Sequence, residues 1–371
     1  MIQFLQGDCR DILPTLPAES VQCCVTSPPY WGLRDYGTAS WEGGNAGCDH
    51  IIDHSVVKPM LDGRGKIGTS CTSWTTRADR GGKRVCNCGA RRIDSQIGLE
   101  STPEEYIASM VAVFREVWRV LRHDGTLWVN CGDSYSSGNS GQRVRDSNGG
   151  FQPGLNTMTQ ANTKANPGRP PVTGMKPKDL LMMPARLAMA LQADGWYLRS
   201  EIVWAKPNPM PESVTDRPTK SHEMIYLLAK QERYFYDTDA IKEDSSKMDG
   251  AISVRTWQYE DGSSNPHGGG FRGEGGLANR ISNGLRNKRS VWTVATQPYS
   301  EAHFATFPED LIKPCILAGS RAGDTVLDPF AGSGTTGQVA IELGRKAILI
   351  ELNPAYMELA QDRTNVTAGF F

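Results

Sequence analysis

Thr325-Val-Leu-Asp-Pro-Phe-Ala-Gly-Ser-Gly-Thr-Thr-Gly337 is the stretch that decides the fold. An apolar run stops at Asp328, a proline-led turn follows, and Gly332, Gly334 and Gly337 carry the G-x-G-x-x-G spacing. Glycines so spaced let backbone approach a ligand closely and aim the N–H groups of the next helix at it. Around this turn the pattern predicts a helix over 308–318, a strand over 325–328, a helix over 335–343, a strand over 347–351 and a helix over 354–363. Strands alternating with helices mean a mostly parallel α/β sheet with helices on both faces. Glu351 closes the second strand 19 residues after Gly332, where a carboxylate accepts ribose hydroxyl hydrogens. The constellation predicts a nucleoside-containing cofactor and does not choose between a nicotinamide dinucleotide and S-adenosylmethionine. A P-loop is excluded, because no lysine follows the glycines.

Further out, the run 21–26 (VQCCVT) reads as a buried strand that ends in Ser27-Pro28-Pro29-Tyr30. Two prolines cannot continue a ladder, so the backbone turns there. A helix is predicted from Pro103, with Thr102 as N-cap and Glu105 completing a capping box. It should run to about residue 122 and bury Ile107, Val111, Phe114, Val117, Trp118 and Leu121, with His123-Asp124-Gly125 ending it. A strand over 126–131, a helix over 177–193 and strands over 197–204 and 223–228 follow. Trp118, Trp128 and Trp204 read as core, His222 and His303 as braces between segments, and Asp133 as a residue lining the site. Residues 37–97, 134–175 and 238–290 lack periodicity and read as loop insertions in a single domain spanning 1–371, whose cofactor-binding half is 300–371. No internal repeat is visible.

The chain has 371 residues, 39% hydrophobic and 22% charged, with mean hydropathy −0.43. That composition supports a sizeable core and excludes a multi-span membrane protein and a wholly disordered chain. The start, MIQFLQGDCRD, has no signal-peptide layout. Nine cysteines, several in apolar runs, argue against a secreted disulfide scaffold. A cytoplasmic protein without a membrane partner is expected. Net charge is −1, yet residues 61–100 hold 8 basic and 4 acidic side chains, 141–180 hold 6 and 2, and 251–300 hold 6 and 3. Cationic loops on a near-neutral scaffold suit a polyanion.

Ser27-Pro28-Pro29-Tyr30 resembles the catalytic motif of DNA amino-methyltransferases, and Asp328-Pro329-Phe330-Ala331-Gly332-Ser333-Gly334-Thr335-Thr336 resembles their S-adenosylmethionine motif. The catalytic motif comes first, which is the permuted order of the β-class. Gly7-Asp8-Cys9 is similar to the segment whose acid contacts the cofactor adenine, and residues 304–311, with Phe307 and Pro308, to the helix before the cofactor motif. Trp204-Ala205-Lys206-Pro207 and Ser221-His222-Glu223 resemble late strands of the catalytic half. The resemblance implies a circularly permuted Rossmann-like methyltransferase sheet with the catalytic half first. It implies Ser27, Pro28, Pro29 and Tyr30 at the reacting amine. It assigns Asp8, Phe307, Pro308, Asp328, Pro329, Phe330, Gly332, Ser333, Gly334, Thr335, Glu351 and Asn353 to S-adenosylmethionine.

The implied partner is double-stranded DNA in a bacterial or phage-infected cell, at the nucleoid. The implied role is the modification arm of restriction-modification, and a homodimer is compatible. Serine at the first motif position resembles enzymes of the cytosine N4 amine, with adenine N6 the second reading. A nicotinamide oxidoreductase explains the glycine turn but not Ser27–Tyr30, and a non-catalytic DNA-binding protein leaves the intact motifs unexplained.

Cys48-Asp49-His50 and Cys86-Asn87-Cys88 flank a 35-residue basic segment. Cys48, His50, Cys86 and Cys88 make a candidate structural zinc site, with His54 and Cys71 as substitute ligands. Arg143, Arg145, Lys164 and Arg169 in one loop are candidate DNA contacts, as are Arg272, Arg280, Arg286, Lys288 and Arg289 in another. Trp257 and Phe271 are candidates to pack or wedge there.

Overall fold

The computed structural model describes residues 1–32, 38–45, 47–48, 86, 88–94, 96–136, 175–244, 285–297 and 307–368. Strand β1 (Ile2–Gln6) leads to a single turn, α1 (Cys9–Ile12), capped by the Asp8 carboxylate on the Arg10 N–H. Strand β2 (Val21–Thr26) is buried along its whole length, as a run of apolar side chains inside a parallel sheet must be. Short strands β3 (Ser40–Glu42) and β4 (Arg91–Ile93) form a separate antiparallel pair, so the stretch read as insertion holds a hairpin.

Helix α2 (Pro103–Val120) starts at the expected capping box: Thr102 accepts from the Glu105 N–H, and the Glu105 carboxylate accepts from the Thr102 N–H. Its buried face is Tyr106, Met110, Val113, Phe114, Val117 and Val120. Ile107 and Val111 are only partly buried and Trp118 is 42% exposed, which corrects the expected phase. The Lys230 ammonium lies over the Trp118 ring, 4.3 Å from its centre, so the half-exposed indole shields a buried cation. The helix also ends earlier than expected. Strand β5 (Leu121–Cys131) begins at once, and the Leu121 carbonyl accepts from Lys230 Nζ at 2.8 Å. His123-Asp124-Gly125 is an irregularity inside this strand, where the pairing with β2 jumps from Val21↔Leu121 to Cys23↔Thr126.

Helix α3 (Met183–Ala193) is shorter than expected. Residues before it pair with the segment after β5: Leu181 N donates to Ser134 O, and Tyr135 bridges to Leu180. Strands β6 (Tyr197–Ala205) and β7 (His222–Ala229) follow, then a second small pair, β8 (Glu243–Asp244) and β9 (Leu285–Arg286), and strand β10 (Val291–Thr293). The chain closes with α4 (Glu309–Gly319), β11 (Thr325–Asp328), α5 (Thr335–Glu342), β12 (Lys346–Glu351) and α6 (Pro354–Ala368).

Eight strands form one sheet in the order β1-β12-β11-β2-β5-β7-β6-β10. All neighbours are parallel except β7, which runs against both β5 and β6. Strand residues alternate between two cores. Cys24, Leu127, Leu327 and Ile350 pack with α2 and α3. Cys23, Trp128, Val326 and Leu349 pack with Leu311 and Ile316 of α4 and Val339 of α5. Trp128 and Trp204 are buried as expected.

Candidate active site

Strands β2 and β11 are parallel neighbours, so Ser27 and Pro329 leave the same edge of the sheet. Their ends are tied by side chains. Thr26 Oγ1 donates to Asp328 Oδ1 at 2.6 Å, Thr336 Oγ1 to Asp328 Oδ2 at 2.6 Å, and Phe330 N to Oδ1 at 3.0 Å. Asp328 is buried, and burial pushes its carboxyl up to about 6 despite these donors. Beyond this tie lies one cleft of about 890 Å³, lined on one side by Ser27–Tyr30 and on the other by Pro329–Ser333, Thr335 and Glu351. Ligands of open α/β sheets sit at this carboxyl edge.

At the glycine-turn end, Asp8, Phe307, Pro329, Phe330, Gly332, Ser333, Thr335 and Glu351 face the cleft. Both Glu351 oxygens are held: Oε2 accepts from Gly332 N at 2.8 Å and Oε1 from Asn353 N at 2.8 Å. Each carboxylate oxygen has room for a further donor, and burial raises this carboxyl's pKa. Burial alone would raise Asp8 too, but its bonds to Arg10 outweigh that and hold its carboxyl below the ordinary value. Four residues assigned to the cofactor do not line the cleft. Asp328 is the brace just described. Pro308 sits at the start of α4, and Asn353 accepts from Ala355 N to cap α6. Gly334 has φ +80°, and a Cβ there would stand 2.7 Å from that of Ala360, so its role is to bring α5 onto α6.

At the other end, Ser27 Oγ lies 3.4 Å from both Tyr30 Oη and Asn130 Oδ1. Tyr30 Oη donates toward Glu223 Oε2 at 2.8 Å and lies 3.1 Å from Asn130 Oδ1. Glu223 Oε1 accepts from Lys206 Nζ at 2.5 Å, and Asn130 Nδ2 donates to Met224 O at 3.2 Å. Burial and the Glu223 carboxylate hold the Tyr30 phenol well above its usual pKa, so it stays a neutral donor. The ring packs against Gly132, where a Cβ would come within 2.4 Å of Tyr30 Cε2. Tyr106 Oη donates to Pro29 O at 2.9 Å. Asp133 lines the cleft and caps α3 by accepting from Met183 N. Sequence reasoning placed Lys206 and Glu223 only within segments resembling late strands of the catalytic half and did not single out Asn130. The available signal was polar residues at the cleft ends of otherwise apolar strands.

A family model described as DNA methylase, of the N6/N4 type, matches residues 21–362. The chain belongs to this family. The methylase is 41% identical to the Type II methyltransferase M.Cfr9I of Citrobacter freundii over 366 residues, covering 97% of this chain and 86% of that protein. It is 39% identical to the Type II methyltransferase M.SmaI of Serratia marcescens over 364 residues, covering 97% and 90%. Among solved structures, a PvuII DNA methyltransferase described as cytosine-N4-specific matches with TM-score 0.53 at 16% identity, over 98% of this chain and 86% of that one. A Thermus thermophilus chain complexed with S-adenosyl-L-methionine matches with TM-score 0.52 at 20% identity, over 100% and 96%. The latter two share the fold.

S-adenosylmethionine, the methyl donor this family implies, fits the residues present: the Gly332 and Ser333 backbone, a Glu351 carboxylate already oriented by two N–H groups, and the rings of Phe307 and Phe330 lining the wall. Among the described residues of the methylase, no helix is long and apolar enough to cross a membrane.

Cys48, Cys86 and Cys88 converge with all three sulfurs within 4.8 Å of one another. Backbone N–H groups of Asn45 and Ala90 bond the Cys88 sulfur and hold its thiol below the ordinary value. His50, His54 and Cys71 lie outside the described residues, as do Arg143, Arg145, Lys164, Arg169, Trp257, Phe271, Arg272, Arg280, His303 and residues 304–306. Of the candidate DNA contacts that are described, none lines the cleft. Arg286 is paired with Glu243 at 3.0 Å, and Lys288 lies 5.1 Å from the centre of the Trp292 ring. The Arg289 carbonyl accepts from Trp292 Nε1. Arg286 is thus committed to the β8–β9 pair.

Proposed function

We propose that this DNA methylase methylates the exocyclic N4 amine of a cytosine swung out of duplex DNA, with Ser27–Tyr30 at the amine and the Gly332–Glu351 side holding S-adenosylmethionine. The observation that carries the reading is the single cleft onto which both turns open, their strands tied through Asp328. When bound, the cofactor supplies an electrophilic methyl group on a sulfonium.

The residues supply positioning. An exocyclic amine is a weak nucleophile because its lone pair is delocalised into the ring. Ser27 Oγ and the Pro28 carbonyl accept the amine hydrogens and turn that lone pair toward the methyl group. The Pro29 carbonyl already accepts from Tyr106, which fixes the turn. Tyr30 offers a ring face to the base, and Glu223 and Asn130 fix that ring through its hydroxyl. After transfer the nitrogen carries one proton too many, which Ser27 Oγ relays to solvent. Positioning and electrostatics carry the rate, with no covalent attack by the protein. Extrusion of the base from the stack is required for any of these atoms to be reached. Serine rather than Asp or Asn at position 27 supports cytosine over adenine. The substrate places the enzyme on DNA in a bacterial cytoplasm.

Long-read sequencing of DNA from cells expressing the protein, beside a Ser27→Ala control, tests this. The expected result is one recognition motif marked at cytosine N4, with purified Ser27→Ala slowed by about 10²-fold or more. A mark at adenine N6 overturns the base assignment and keeps the chemistry. No mark above the control overturns the enzymatic reading.

A further inference from the structure

The Cys48, Cys86 and Cys88 cluster takes no part in the chemistry above, and its geometry asks for an occupant. Cys48 Sγ and Cys86 Sγ are 3.7 Å apart. A disulfide needs about 2.05 Å, whereas two thiolates on a tetrahedral zinc at about 2.3 Å each stand roughly 3.8 Å apart. The backbone is folded to hold the sulfurs there. Cys86 N donates to Ala90 O at 2.7 Å, Gly89 N to Cys86 O at 2.8 Å and Cys48 N to Asn45 O at 3.0 Å. Gly44 packs so closely on this turn that a Cβ would meet Cys88 Sγ at 2.7 Å.

The cluster sits at the end of a hairpin whose strands, β3 and β4, are three residues each. A two-stranded hairpin this short has little stability of its own. The chain entering β3 and the chain leaving β4 form a wall of the cleft: Thr38 on the first and Gln96 and Ile97 on the second line it beside Tyr30. That wall is stitched to the serine turn by Gly32 N on Gly98 O at 2.6 Å and Trp31 Nε1 on Glu100 O at 3.0 Å. It is stitched to itself by Thr38 Oγ1 on Asp94 Oδ1 at 3.4 Å.

We propose that Cys48, Cys86 and Cys88 bind one zinc ion, and that this ion fixes the β3–β4 hairpin and with it the wall of the base-binding end of the cleft. The metal half of this inference stands on the cluster alone. The wall half rests on reading the Tyr30 end as the base site. Binding displaces the thiol protons, so uptake is accompanied by proton release and weakens as pH falls. The glycine-turn end is built from other elements, so metal loss uncouples the two ends: the base site loosens while the cofactor site stays formed.

The test uses the full chain. Elemental analysis of the purified protein is expected to give about one zinc per chain. Replacement by Co²⁺ is expected to give thiolate-to-cobalt absorption bands, whose intensity reports the number of sulfurs and the nature of the fourth donor. Cys48→Ser and Cys88→Ser are expected to lose the metal and at least about tenfold in DNA methylation, with S-adenosylmethionine affinity, read by calorimetry, changed less than about twofold. Should those variants fail to fold, chelator titration of the wild-type chain, with released zinc followed by a chromogenic dye, reads the same coupling. A protein that purifies without metal and takes up neither Zn²⁺ nor Co²⁺ after reduction overturns the metal site. A metal-free chain that methylates DNA normally overturns the wall. A zinc-loaded chain with no methyltransferase activity sinks the proposed function and leaves the metal site standing.

Discussion

The two turns that face each other across the cleft are held by different kinds of partner. Apart from the tie of Asp328 to Thr26, the glycine turn is fixed by groups close in sequence. Asp328 bonds Thr336 eight residues on, and Gly332 bonds Glu351 nineteen residues on. The serine turn is fixed from far away: Pro29 by Tyr106 at a separation of 77, Tyr30 by Asn130 at 100 and by Glu223 at 193. A cofactor present in every turnover can be held by a short self-contained motif. The end we propose for the base is instead assembled from strands and loops across most of the sheet, so its shape can change with little disturbance to the cofactor end.

Cutting the tie between the two turns should have the largest effect. Asp328→Ala leaves the Thr26 and Thr336 hydroxyls without their buried acceptor and should cost roughly 2–5 kcal/mol in urea unfolding. Both ends should then fail together. The milder Asp328→Asn removes the titrating group and keeps one of the two accepting oxygens. Burial pushes this carboxyl from 3.8 up to about 6. Between those values the folded chain keeps a proton that the unfolded chain has released. Its contribution is therefore full below about pH 4 and is lost as pH rises through about 6. The asparagine variant should lose that slope, measured as unfolding midpoints across the window. An unchanged slope would show that Asp328 is already ionised below it.

Gly132→Ala should break the serine side by itself. The added methyl meets the Tyr30 ring at 2.4 Å, and displacing the ring should slow methyl transfer by about 10–100-fold while cofactor affinity holds within about twofold. Equal losses at both ends would abolish the distinction drawn above. The smallest change sharpens the glycine side. Glu351→Gln removes the charge and turns one oxygen that accepts a backbone N–H into a donor, and should weaken S-adenosylmethionine binding about tenfold or more in calorimetry, with turnover at saturating cofactor nearly kept.

The same contrast decides what can be read from the chain. The glycine turn, its flanking strands and helices, and Glu351 are contiguous, so their spacing announces them, as does the capping box at Thr102 and Glu105. The network behind Tyr30 is invisible in that sense, because nothing local marks Asn130, Lys206 or Glu223 as neighbours. The phase of α2 misleads for a related reason. Trp118 is large and apolar, yet its best position is a surface one, over the Lys230 ammonium. Residues 177–181 look helical in pattern, but pairing with 134–136 takes them out of the helix, as Leu181 on Ser134 shows. Gly334 and Asp328 belong to the cofactor motif by sequence and turn out to serve packing and bracing.

The register of the central strands bears on how the molecule comes into being. Cys23 of β2 pairs with Val326 of β11, and Ile2 of β1 with Ala347 of β12. During synthesis the strand that presents Ser27 can pair with β5 first, but waits for β11 until some 300 further residues have been made, roughly 15–60 s at about 5–20 residues per second. Through that interval β1 is an unpaired edge, and the reacting turn has no cofactor site beside it. A ribosome that stalls before β11 releases a chain exposed to aggregation and unable to mark DNA, so catalytic competence arrives only with the strands at the very end of the chain, β11 and β12.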